Sequence, residues 1–211
     1  MRKDDDSCKL RSVIRTFILC VFMALSLFAD DKAAAGYLDG RFTWWTSWPS
    51  AARDHGTFCV SCHTVLPYAL ARPTLRAALA EQNVSPAERK LLDNVVKRVR
   101  MCNDVAPFYP SKATDAAKTA ESRGTESILN ALILANYDSS AGRLSADAKL
   151  ALDNMWSEQL KTGEAKGAWP WLQFHNAPWE GDSQYYGATL GALAVGLAPD
   201  DIDRLRKSMR A

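Results

Sequence analysis

Residues 85–107 read Ser85-Pro86-Ala87-Glu88-Arg89-Lys90-Leu91-Leu92-Asp93-Asn94-Val95-Val96-Lys97-Arg98-Val99-Arg100-Met101-Cys102-Asn103-Asp104-Val105-Ala106-Pro107. Ser85 and Glu88 form a capping box, with proline at the first helical position, where its missing N–H costs nothing. Leu91, Leu92, Val95, Val96 and Val99 follow at helical spacing, so a helix is expected to run to near Asn103, with Pro107 as a stop. The same grammar recurs along the chain. Thr125 to Tyr137 places Ile128, Leu132 and Ala135 on one face, beside Leu129 and Ile133. Ser145 caps a predicted helix through Leu150, Met155 and Trp156 to about Lys161, closed by Gly163. Tyr186 to Leu197 is rich in small residues, and Pro199 opens a last helix over Ile202 and Leu205. No alternating Val/Ile/Thr run is bounded by a hairpin turn signal. The expected fold class is all-α, with about seven helices. Residues 111–124, rich in Ser, Lys, Ala and Thr, are the best linker candidate.

The bulk numbers exclude several classes. The chain has 211 residues, with 26 Lys+Arg against 24 Asp+Glu, a net charge of +2 that argues against a nucleic-acid binder. Five cysteines are too few for a disulfide-dense scaffold, so stability must come from apolar burial. At the N-terminus Lys9, Arg11 and Arg15 precede the apolar run Phe17–Ala29. The run falls short of the roughly 20 residues a membrane-spanning helix needs. A basic region, a short apolar region and small residues make a secretory signal, with Ala33-Ala34-Ala35 as the cleavage site before Gly36. Residues 1–35 are therefore read as a signal peptide and the protein as periplasmic or otherwise exported. The alternative is an uncleaved segment that anchors it to the membrane.

One motif carries the chemistry. Cys59-Val60-Ser61-Cys62-His63 is C-x-x-C-H, the spacing of covalent c-type haem attachment. Two thiols three residues apart can each form a thioether to a haem vinyl, and the adjacent imidazole becomes the proximal ligand of the iron. Chains of this composition carry the pattern by chance roughly twice per thousand. A zinc site on Cys59, Cys62, His63 and Cys102 would lack the usual second close pair, a thioredoxin-like pair would lack its βαβ context, and a disulfide gives His63 no role. Candidates for the sixth iron ligand are Met101, Met155, Met209, His55 and His175. Seven tryptophans cluster as Trp44, Trp45 and Trp48 before the motif and Trp156, Trp169, Trp171 and Trp179 late in the chain. Near a haem edge such rings exclude water and raise the potential, whereas in a core they simply pack.

Two stretches carry a family resemblance. Cys59 to Thr64 running into Leu66-Pro67-Tyr68-Ala69-Leu70-Ala71-Arg72-Pro73 resembles bacterial exported proteins that join a C-x-x-C-H segment to a squalene–hopene-cyclase-like α/α toroid. Residues 152–169 are similar to the QW repeat of that toroid through Leu152, Trp156, Gln159, Gly167 and Trp169. Asp182, Tyr185, Tyr186 and Gly187 resemble the start of the next repeat. The resemblance implies a haem-attachment segment over 36–110, a linker over 111–124 and a partial toroid over 125–211. The sequence departs from the cyclases where their chemistry lies. The nearest match to their acidic motif is Asp200-Asp201-Ile202-Asp203 followed by Arg204, a helix-start cluster rather than a proton donor, and the helices are too few to close a ring. No cyclase residue carries over, and the chain reads as a partial ring or a relative of something longer. The reading leans to an electron carrier binding haem c through Cys59 and Cys62, with iron on His63, and served by a redox partner protein. A haem-dependent oxidoreductase, or a haem sensor for an apolar lipid or terpenoid, is the alternative.

Overall fold

The capping box of the computed structural model is formed in full. Ser85 Oγ accepts from Glu88 N at 3.2 Å and Glu88 Oε2 accepts from Ser85 N at 2.9 Å. The model describes residues 30–174 and 183–198, and the helix expected after Pro199 lies outside them. Among the described residues the chain forms α1 (30–47), α2 (Val65–Ala78), α3 (Pro86–Arg100), α4 (Lys118–Ser139), α5 (Ala146–Ser157) and α6 (Ser183–Gly196). Two short 3-10 turns, Pro49–Ala51 and Asp54–Gly56, link α1 to the C-x-x-C-H segment. No strand occurs among the described residues, and the fold is all-α.

α4 is the axis of the molecule, touching α2, α3, α5 and α6. Its middle, Ile128 to Ala135, is buried all round, as a central helix requires. It begins at Lys118, seven residues before the apolar pattern starts, so 118–124 of the expected linker form its first turns. Small polar side chains do the packing there. Ser122 Oγ accepts from Tyr109 N at 3.1 Å, and a Cβ on Gly124 would come within 2.2 Å of the Pro170 carbonyl oxygen. One hydrophobic core runs through both halves, from Phe58 and Tyr68 through Leu129 to Trp169 and Trp171.

α2 went unread in the sequence because two prolines interrupt it. Pro67 lies in the first turn, where no N–H is required. Pro73 lies inside and orphans the carbonyl of Ala69 one turn back. Asn136 of α4 donates to that carbonyl through Nδ2 at 3.2 Å. α1 lies against α2, with Phe42 stacked on Tyr68 at 4.7 Å and Arg72 paired to Asp39 at 3.1 Å. The expected signal cleavage point falls within α1, where Ala35 is buried.

α5 is capped as expected, Ser145 Oγ accepting from Ala148 N, but it stops at Ser157 rather than near Lys161. The chain turns back there. Gly167 N donates to Leu160 O and Leu160 N to Ala168 O, both at 2.9 Å, with Gly167 in the left-handed region at φ 88°. Gln159 Nε2 donates to Gly167 O at 2.8 Å, and Trp169 Nε1 donates to Met155 O at 2.6 Å while its ring tilts against Trp156. Gly187 and Gly191 then let α6 lie on Trp171 and Trp169. A Cβ at Gly187 would meet the Trp171 ring at 2.5 Å.

Arg98 of α3 and Glu126 of α4 form a buried two-point ion pair. Arg98 also donates to Thr57 Oγ1 at 2.7 Å and Ala106 O at 2.8 Å, with its guanidinium over Phe108 at 4.4 Å. Removing one partner strands a buried charge. Glu126→Ala is expected to lower unfolding stability by about 3–5 kcal/mol, against about 1 kcal/mol for Ser85→Ala, as read from urea denaturation.

Candidate functional site

The segment from Thr57 to Thr64 has little regular structure, yet its backbone is pinned. Phe58 N donates to Asn94 Oδ1 at 2.8 Å while Asn94 Nδ2 donates to Phe58 O at 3.2 Å. Cys59 N donates to Ala51 O, and Cys59 O accepts from Trp45 Nε1, both at 2.8 Å. Ser61 closes the turn into α2. Its Oγ accepts from His63 N and Thr64 N, and its carbonyl from Val65 N and Leu66 N. Backbone groups of Phe58, Cys59 and Ser61 are thus held by the protein itself.

Cys59, Cys62 and His63 all face a cavity of about 660 Å³. That lies within the ~300–1,000 Å³ span of small-molecule and cofactor sites. Trp45 and Trp48 form one side, Phe108 and Tyr109 come from the turn after α3, and Thr125 from α4. Trp171, Leu172 and Phe174 follow α5, and Tyr186 comes from α6. The rings brace one another: Trp171 meets Tyr186 edge-on at 5.6 Å, and Tyr109 meets Phe174 edge-on at 5.2 Å. Thr125 Oγ1 accepts from Leu172 N at 2.8 Å and so ties the far wall to the central helix. Three of the seven tryptophans thus wall the cavity, whereas Trp156 and Trp169 pack in the core and Trp44 faces outward. Trp179 lies outside the described residues.

Cys59 and Cys62 are free thiols. Burial pushes the Cys59 thiol up to about 11, against the pull of the nearby Arg53 guanidinium, and burial with Cys59 as neighbour pushes Cys62 up to about 12. Cys102 lies elsewhere, beside Asn154 at the α3–α5 contact, so it does not complete a four-ligand zinc set. No group of three His, Cys, Asp or Glu side chains able to hold a metal ion occurs among the described residues. The wall does present two thiols and one imidazole, which could bond a prosthetic group that brings its own equatorial ligands.

The candidate sixth ligands scatter. Met155 is buried in the core, Met101 caps the end of α3, and His55 lies in the Asp54–Gly56 turn with its ring 3.7 Å from Asp54. None of these three lines the cavity. His175 and Met209 lie outside the described residues, as does the Asp200–Asp203 cluster. Several wall residues escaped sequence reasoning, Tyr109 and Tyr186 among them. Arg53 lies over the Tyr109 ring at 5.1 Å and donates to Phe108 O at 2.9 Å, which fixes that part of the wall. Neither tyrosine stands at any motif spacing from Cys59, so nothing in the sequence joins them to it. No family model, curated protein or solved structure matches the chain.

Neutral buried thiols are poor nucleophiles. In the chain free of any attached group, Cys59 is expected to react slowly with iodoacetamide at pH 8, and its rate to rise about tenfold per pH unit toward about 11. Peptide mass mapping of the alkylated sites measures this.

Proposed function

We propose that the chain is an exported c-type haem protein whose work is one-electron transfer. One observation carries the reading: both thiols and the imidazole of the C-x-x-C-H motif face a single large aromatic cavity. Volume, walls and donors all suit the group. The cavity size fits a flat macrocycle, the rings supply apolar contact on several sides, and a haem needs only one imidazole from the chain because the porphyrin supplies its other donors. Bound there, the haem would supply a reversible one-electron iron couple.

The chain's own residues have definable tasks. Cys59 and Cys62 would hold the group covalently, each thiol adding across a vinyl so that sulfur bonds to carbon and the thiol proton goes to the neighbouring carbon. His63 offers its imidazole nitrogen to the metal. Trp45, Trp48 and Trp171, which line the cavity, would keep water from a bound haem and so disfavour its more charged oxidised state. The pinned backbone from Phe58 to Ser61 keeps the three donors in place through the redox cycle.

A second reading, a haem protein that takes a small exogenous ligand, is favoured by where the candidates among the described residues lie. Met101, Met155 and His55 all sit away from the cavity wall. Carbon monoxide separates the two. A six-coordinate reduced spectrum unchanged by the gas supports electron transfer, and a shifted spectrum supports ligand binding.

Acid–acetone extraction of the protein matured in the periplasm of a host with a haem-attachment system tests the leading reading. Haem is expected to stay on the chain. Cys59→Ala should cut covalently retained haem by at least half, and His63→Ala should change the visible spectrum while leaving thioether attachment in place. Haem extracted into the solvent, or zinc found in its place, refutes the proposal.

A further inference from the structure

α1 has an unusual outer face. A helix side turned to water ordinarily carries charged residues. Between Ala33 and Trp48 the exposed positions of this one hold a single charge, Arg41. The centre of the face is aromatic. Tyr37, Trp44 and Trp48, at helical spacing with Trp48 just past the last turn, are 67%, 48% and 44% exposed. Trp44 and Trp48 stack at 6.1 Å with planes 11° apart, and the Arg41 guanidinium sits 4.4 Å over the Trp44 ring. The remaining exposed positions are small, among them Gly36 and Gly40, with open space around each. The opposite face, through Ala35 and Phe42, is buried against the body of the protein, so α1 cannot turn these rings inward.

We infer that this face of α1 lies on a phospholipid bilayer surface. Tryptophan and tyrosine, apolar in body and polar at one edge, are the residues that settle at the headgroup level, and arginine beside them can reach lipid phosphate. The sequence supplies the continuity. The chain's longest apolar run, Phe17–Ala29, ends one residue before the first residue of α1, so on the reading in which that run is an uncleaved membrane anchor the helix begins where the anchor ends. No helix among the described residues is long and apolar enough to cross a membrane, and α1 itself would lie along the surface rather than through it. Because Trp48 belongs both to this face and to the cavity wall, the cavity would be held close to the membrane plane. The inference rests on the helix face and on the apolar run that precedes it, and does not depend on the haem reading.

The test uses the full chain mixed with vesicles of phosphatidylcholine and phosphatidylglycerol that carry a photoreactive diazirine near the top of the acyl chain. After illumination, trypsin cuts at Lys32, Arg41 and Arg53, so lipid adducts on Ala33–Arg41 and Phe42–Arg53 are resolved from adducts on Phe17–Ala29. Adducts are expected on both α1 peptides. In the Tyr37→Glu/Trp44→Glu variant, whose altered side chains are exposed and whose helicity is checked by circular dichroism, their yield should fall about tenfold, with any Phe17–Ala29 labelling unchanged. Three results overturn the inference: no vesicle binding, bound chain without α1 adducts, or α1 adducts indifferent to the two glutamates. A fourth does so as well, chemical cross-linking of α1 to α1 of a second copy in place of lipid labelling.

Discussion

Arg98 is the point on which the arrangement of this protein turns. Its guanidinium has no exposed atom to speak of, so every proton on it must find an acceptor within the fold, and the acceptors come from three different places. Glu126 brings in the central helix, Thr57 the approach to the C-x-x-C-H segment, Ala106 the turn after α3, and Phe108 offers its ring face. A hydrophobic contact tolerates sliding, and a fully desolvated charge does not. The pair therefore works less as a source of stability than as a registration mark that sets α3 against α4 and fixes the motif segment against the wall it faces.

From that mark the cavity follows. Thr57 leads directly into Cys59, and Phe108 into Tyr109, so two sides of the site inherit the position of one side chain. Asn94, one turn before Arg98 on α3, clamps Phe58 by both its amide atoms. The far side is set by another device, removal of volume. Gly124 admits Pro170 and Gly187 admits Trp171, so the segment after α5 is drawn in against α4 and α6 until its rings reach across to the thiols. Charge positions the near wall and absence of side chain positions the far one.

The sequence was readable where a single local rule decides the outcome. The capping boxes and caps at Ser85 and Ser145 announced α3 and α5, and the apolar spacing announced the body of α4. It was unreadable where the deciding partner is remote. α2 survives Pro73 only because Asn136 meets the freed carbonyl of Ala69, and nothing near Pro73 foretells Asn136. The first turns of α4 look like a linker because serine and glycine do their packing by being small, which hydrophobic periodicity cannot register. The donors of the site were legible because chemistry fixes their spacing. Of its wall only the tryptophans were offered, as a cluster, and the rest was not legible, since Tyr109, Phe174 and Tyr186 share neither a helix nor a period.

The walls of the cavity also impose an order of events. A chain delivered from its N-terminus presents the segment from Cys59 to His63 while Trp171, Phe174 and Tyr186 are still to come. At that stage the two thiols lack the wall that these three rings supply. Once α6 has docked, Cys59 is buried and Cys62 half-buried, and burial favours the protonated form of each thiol. Any group as large as this cavity therefore enters more readily before α6 docks than after.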